Sequence, residues 1–212
     1  STHSAVPNGS SMKPALPQHT ASPRIRGLRA RAAALLVSVA ALWLSSGVPA
    51  PAAAATSLPP VIRQDGFEFA PVGGDELSLY GFRVYHAALW APSGRYHPEQ
   101  PTAFTLHYRR DFTKQRLVEI TQTAWAKAGV GTEAQRKAWA NRLLGIWHDV
   151  AKGDILAAVV VPGRETRFYN AAGLLGRIED KDFGPAYLGI WLDEKTLLPD
   201  LRASLLGLKG TS

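Results

Sequence analysis

Apolar positions run almost unbroken through "LYGFRVYHAALWAP" at residues 79–92, where only Arg83, Tyr85 and His86 interrupt them. Strand alternation puts Phe82, Val84, His86, Ala88 and Trp90 on one face and Gly81, Arg83, Tyr85, Ala87 and Leu89 on the other. Both faces are mostly apolar, which predicts a strand covered on both sides, with Arg83 or His86 meeting a pocket or a polar partner. Ahead of it, Phe67–Pro71 reads as an edge strand after a short lead-in holding Pro59, Pro60 and Gly66, and "GGDE" at 73–76 reads as the tight turn between them. "TAFTLHYRRDF" continues the sheet, with Thr105, His107, Arg109 and Asp111 alternating against Leu106, Tyr108 and Arg110.

The period then changes from two to 3.6. Thr113 is placed to cap a helix whose stripe is Leu117, Ile120, Ala124, Trp125 and Ala128, with Gly129 where the helix should stop. Thr132 and Gln135 have capping-box spacing before a second helix, whose core stripe is Trp139, Leu143, Ile146, Trp147 and Val150. "ILAAVVVP", "GRETRFYN" and "GLLGRIED", divided by Gly163 and "NAAG", predict consecutive antiparallel hairpins. Phe183, Ala186, Tyr187, Ile190 and Trp191 return to helical spacing, and Pro199 suits the first position of a last short helix. After the edge strand the order is β, β, α, α, β, β, β, α, α. It argues an α+β fold, an antiparallel β-sheet covered on one face by helices.

The N-terminus changes the domain boundaries. Arg24, Arg26, Arg29 and Arg31 precede "AAALLVSVAALWL", which is short of the roughly 20 residues that span a bilayer, and Ala53-x-Ala55 follows it. Residues 1–55 therefore read as an N-terminal extension and secretory signal peptide cleaved after Ala55, a retained signal anchor being the alternative. Residues 56–212 read as one domain, periplasmic or secreted.

Charge changes with that cut. Five of the 24 basic residues lie before position 56, where no acidic residue stands, and the rest of the chain has 17 acidic residues. The near-balance left behind removes the argument for nucleic acid that a basic whole chain would invite. With no cysteine, no disulfide staples the fold. Of six tryptophans, five follow position 56 and are expected as core anchors. His97, His107 and His148 lack ligand spacing, so no metal site is expected, and no G-x-S-x-G, P-loop or dinucleotide fingerprint occurs.

Three stretches, "FGPAYLGIWLDEKTLLPDLRASLLG", "YGFRVYHAALWAP" and "HYRRDF", together resemble the bacterial chalcone isomerase-like family over residues 63–208 or so. The resemblance implies the open-faced β-sandwich of that fold, with a hydrophobic cleft between sheet and helices. The family's enzyme branch closes a flavonoid ring with an arginine ahead of the long strand, a threonine in it, a tyrosine and an asparagine on the first long helix, and a threonine near the late helix. Placed without gaps, these fall on Ser78, His86, Thr113, Ile120 and Ile190. None keeps the enzyme's residue type, and a developing enolate in a dry cleft needs a cation and donors beside it. A non-catalytic member is implied, binding a hydrophobic small molecule such as a lipid or fatty acid.

Five residues are candidates for that ligand. His86 reads as a polar anchor, as the proximal ligand of a haem, or as a core histidine satisfied by a neighbour. Arg83 and Tyr85 suit a fatty-acid carboxylate through the arginine's bidentate fork, or Arg83 pairs with Asp75, Glu76 or a cross-strand partner. Arg109 reads as a ligand group or as one half of a salt bridge with Asp111 at the strand end. Tyr169, with Arg167, reads as a ligand group or as part of an exposed hairpin. No cofactor is required, haem being the one admitted. The rival functions are an acid–base enzyme of altered chemistry using His86, and a structural envelope protein with a filled core and an exposed apolar patch.

Overall fold

A computed structural model describes residues 57–209; the basic segment, apolar run and cleavage site read at 24–55 lie outside the described residues. Six strands form one antiparallel sheet in which every strand pairs with its chain neighbour: β1 Ala70–Leu79, β2 Phe82–Ala91, β3 Thr102–Tyr108, β4 Ile155–Val161, β5 Glu165–Tyr169 and β6 Leu174–Ile178. The helices are α1 Pro60–Gln64, α2 Lys114–Ala128, α3 Glu133–Ile146, α4 Phe183–Leu192 and α5 Pro199–Leu205. This is the α+β arrangement the sequence predicts.

Helix boundaries follow the capping chemistry. Thr113 accepts from the Arg116 amide at 3.3 Å, and α2 stops at Gly129 in the left-handed region. Thr132 and Gln135 make a complete capping box, and Pro199 opens α5. The face of α2 is rotated from the expected stripe: Leu117, Val118, Thr121 and Trp125 are buried while Ile120 is 44% exposed. Thr121 tolerates burial because its hydroxyl donates to the Leu117 carbonyl at 2.8 Å, so no polar group is left without a partner.

The expected turn at "GGDE" is not a turn. Residues 73–76 lie inside β1, paired with Leu89 through His86, and the chain reverses instead at Tyr80–Gly81 between the partners Leu79 and Phe82. Tyr80 has φ 51° and Gly81 has φ 80°, as a two-residue type I′ connection requires. Gly73 is a strand residue for a different reason: a Cβ there would collide with the Ser204 carbonyl oxygen, so only glycine lets the end of α5 lie against β1.

One sheet face carries Ala87, Leu89, Phe104, Leu106, Ala158, Val160, Phe168 and Ile178, packed against α2 to α5. The other carries Ala88, Trp90, Ala103, Ala157, Val159 and Tyr169, covered by Ile62 of α1 with Leu58, Val61, Phe67 and Phe69. The lead-in read as irregular is therefore a short helix that closes part of the second face, started by Pro60 at a position where its missing N–H costs nothing.

Candidate functional site

Once the hairpin register is fixed by the Tyr80–Gly81 turn, Glu76 stands opposite His86, and His86 opposite His107 on β3. Arg109 reaches back from the end of β3 and grips Glu76 with both ends of its fork, Nε to Oε1 at 2.9 Å and Nη2 to Oε2 at 3.1 Å. The His86 Nδ1 lies 3.7 Å from Glu76 Oε2. Burial lowers the His86 pKa below the ordinary histidine value, Glu76 opposes that, and Arg109 adds to it. The default Arg109–Asp111 bridge is thus replaced by Arg109–Glu76, while Asp111 accepts from the Lys152 amide at 2.7 Å.

Arg109 also borders a concavity of about 560 Å³ at this end of the sheet, lined by Phe82, Arg83, Arg109, Arg110 and Lys152. Four cationic side chains and one aromatic ring line it, with no carboxylate among them. Arg110 sits over the Phe82 ring at 5.6 Å, and neither Arg83, Arg110 nor Lys152 has an acidic side-chain partner among the described residues. The pairing of Arg83 with Asp75 or Glu76 does not form, because Asp75 is taken by Ser204 and Lys209, and Glu76 by Arg109. A second, smaller hollow of about 200 Å³ lies by the start of α1, bordered by Leu58, Pro59, His107 and Ile155.

Tyr85 does not join Arg83 at the surface. Its hydroxyl accepts from Trp191 Nε1 at 2.9 Å, its ring meets Tyr108 edge-on, and burial raises its pKa to about 12. Tyr169 is fully buried rather than part of an exposed hairpin: its hydroxyl donates to Asp65 Oδ2 at 2.8 Å, and burial with that carboxylate raises its pKa to about 12. Neighbouring Arg167 pairs with buried Glu165 at 2.7 Å and lies over Phe67, fixing the segment beside α1. Of the five candidates the structure joins His86 to Arg109 through Glu76, and Arg109 to Arg83 around the concavity. Tyr85 is on the opposite sheet face, and Tyr169 is separated from β2 by the whole width of β3 and β4.

The hollow expected between sheet and helices is filled. Phe168 contacts Trp147, Phe183 and Tyr187 at ring separations of 5.6, 6.0 and 5.4 Å, and Trp191 closes on Phe104 at 4.5 Å. His86 faces away from that block, so it cannot meet a guest held between the layers. Ser78, His86, Thr113, Ile120 and Ile190, the positions matched to the ring-closing residues, fall at a strand end, on the outer sheet face, at a helix cap, on an exposed helix surface and on α4. They are not one constellation. Nor does His86 fit an axial role for haem: its Nε2 is buried without a hydrogen-bond partner, against β1 at Gly74. Among the described residues no group of three or more acidic or histidine side chains is placed to hold a metal ion, and no helix is long and apolar enough to cross a membrane.

Sequence reasoning missed Phe82, Lys152 and the position of Glu76. Lys152 comes from the loop before β4, and nothing local to it signals the approach to β2. Glu76 was legible in principle, since a reversal at Tyr80–Gly81 puts it across from His86.

Comparison with known proteins agrees with this architecture. A family model described as chalcone isomerase-like matches residues 71–207. An uncharacterized protein of Haemophilus influenzae is 25% identical over 138 residues, which are 65% of this chain and 67% of that protein. The crystal structure of a fatty-acid binding protein of Arabidopsis thaliana superposes with a TM-score of 0.50 at 10% identity, covering 65% of this chain and 86% of that one. That likeness establishes a shared fold.

Proposed function

This chain belongs to the chalcone isomerase-like family, and from that premise we propose that it is an exported, non-catalytic binding protein for a hydrophobic small molecule with an anionic head, a fatty acid being the chemistry that fits best. The observation that carries the reading is the concavity lined by Phe82, Arg83, Arg109, Arg110 and Lys152. A carboxylate placed there meets the Arg83 and Arg110 guanidinium groups, which have no acidic side-chain partner among the described residues, and charge-assisted bonds to such groups are the strong ones. Phe82 offers the first methylenes an apolar wall. The fatty-acid binding protein of the same fold supports the choice of ligand class. Export rests on the leader read in the sequence and places the ligand outside the cytoplasm.

Titration of the lipid-stripped protein with palmitate, followed by tryptophan fluorescence, tests the reading. Binding is expected, with loss of about tenfold for each of Arg83→Ser and Arg110→Ser, the worth of one hydrogen bond to a charged group. Equal affinity for palmitate and its uncharged methyl ester would remove the basis for the site. Native mass spectrometry of the chain recovered from cells reads the same proposal directly, as a chain beginning at Thr56 with an acyl chain bound.

A further inference from the structure

The β1–β2 hairpin outruns the rest of the sheet. The last β2–β3 pair is Tyr85 with Tyr108, yet β1 and β2 continue to pair through Ser78–Arg83 and Leu79–Phe82. The Arg109 amide still donates to the Val84 carbonyl one residue further on, and at about 3.3 Å per residue the Tyr80–Gly81 turn stands roughly 10 Å beyond that last backbone bond. That tip is apolar. Leu79 is 48%, Tyr80 99% and Phe82 64% exposed, three of the few large hydrophobic side chains the described residues leave in water.

Tyr80 is the informative one. A type I′ turn favours Asn or Gly at its first central position, because a side chain with a Cβ at positive φ is strained. An asparagine there would relieve the backbone and suit water better than a phenol ring. The chain instead keeps a tyrosine at φ 51° with almost its whole surface exposed, so neither local conformation nor solvation accounts for it. Below the tip, Arg83, Arg110 and Lys152 form a collar without acidic side-chain partners among the described residues, and Arg109 is held on Glu76.

We infer that this hairpin tip docks on an anionic phospholipid bilayer, Leu79, Tyr80 and Phe82 entering the interface while Arg83, Arg110 and Lys152 contact the headgroup phosphates. Length, composition and charge agree with that occupant. Interfacial elements bury their apolar groups about 5–10 Å deep, which the protruding tip spans. Tyrosine is suited to the boundary between acyl chains and headgroups. Each cation held at an anionic surface strengthens binding about fivefold, and this contribution is screened by salt. The inference does not rest on the fatty-acid reading, although a protein that exchanges an insoluble acid with a membrane would bring the concavity to the bilayer by this same edge.

Co-sedimentation of the chain beginning at Thr56, without the leader whose own basic and apolar residues would bind lipid, with phosphatidylcholine vesicles, with and without phosphatidylglycerol, is the test. Binding to the anionic vesicles is expected, weakened by added sodium chloride. Tyr80→Asn, a substitution the turn accommodates, should lower partitioning about tenfold, as removal of one large side chain from the interface implies; Leu79→Ser should act in the same direction. Both variants should leave palmitate affinity in solution unchanged, since neither residue lines the concavity, so failure of the ligand proposal and failure of this one are told apart. Equal binding to neutral and anionic vesicles, or unchanged binding by Tyr80→Asn, overturns the inference. So does a concentration-dependent dimer, seen by sedimentation velocity, that Tyr80→Asn abolishes, because the tip would then be an interface between copies.

Discussion

The two faces of the sheet are built on different physics. Toward α2–α5 the contacts are ring on ring: Trp125, Trp139, Phe183, Phe168, Tyr187 and Trp191 form a continuous aromatic block. Most of its polar atoms are discharged in single bonds, Trp125 Nε1 to the Ala186 carbonyl at 2.9 Å and Trp139 Nε1 to Asp180 at 2.9 Å. The outer face has a smaller apolar cluster bordered by charge, with Glu165 between Arg167 and Arg177 at one end and Glu76 between Arg109 and His86 at the other. The helix face supplies apolar burial and leaves little room for a guest. Charge that can be redirected to a ligand stands at the outer face and the sheet end.

Substitutions on the two faces should separate accordingly. Trp125→Ala is expected to have the largest effect, about 3–5 kcal/mol of unfolding free energy in urea, because a fully buried indole leaves a cavity among Trp139, Phe183 and the α4 backbone. Palmitate affinity, measured where the variant is still folded, should change far less, since the indole is remote from the concavity lining. A Trp125→Ala loss below about 1 kcal/mol would mean that the aromatic block is not the principal source of stability.

The outer-face counterpart is Glu165→Gln. Glu165 is only 5% exposed and holds Arg167 at 2.7 Å and Arg177 at 3.6 Å. Removing its charge leaves two guanidinium groups facing each other, a cost that falls to about 2 kcal/mol because both arginines reach water. Loosening should be local to the segment around α1, where Arg167 lies over Phe67. Hydrogen exchange at Ile62 and Phe67 is the readout, and uniform loss of protection over the whole sheet would contradict the division between faces.

Which of these features the sequence disclosed follows from how far each depends on remote contacts. Thr113, the Thr132–Gln135 box and Pro199 were legible because capping is settled within a few residues of the helix end. Alternation in β2 was equally plain, since its two faces are set by strand period alone. The pair of glycines in "GGDE" misled because their cause is α5, some 130 positions later, pressing its backbone on β1. Ile120 misled because two stripes on α2 share Leu117 and Trp125, and only packing against the rest of the molecule selects the one containing Val118. The candidate site was half visible: Arg83 and Arg109 were singled out, but a concavity made by a strand end, a hairpin tip and the Lys152 loop exists only once all three are in place.

The smallest expected effect is a pH dependence confined to the outer face. Burial holds the His86 pKa below its unfolded value of 6.5, so His86 is neutral in both states above that value and contributes no slope there. As pH falls below 6.5 the unfolded chain takes up the proton while the folded chain resists, and stability declines until the folded pKa is reached. Asp75 and Asp180 act in a lower window. The Ser204 hydroxyl and the Trp139 indole respectively hold their carboxyls below the ordinary aspartate value of 3.8, so the stability they contribute is present above that value and lost as pH falls beneath it. Urea midpoints of the protein and of His86→Gln between pH 7 and pH 5 therefore isolate the imidazole. The variant should lose the acid slope, by less than either substitution above changes stability at neutral pH. If the two curves stay parallel, the imidazole is protonated as readily in the fold as out of it, and Glu76, 3.7 Å from Nδ1, offsets the burial beside it.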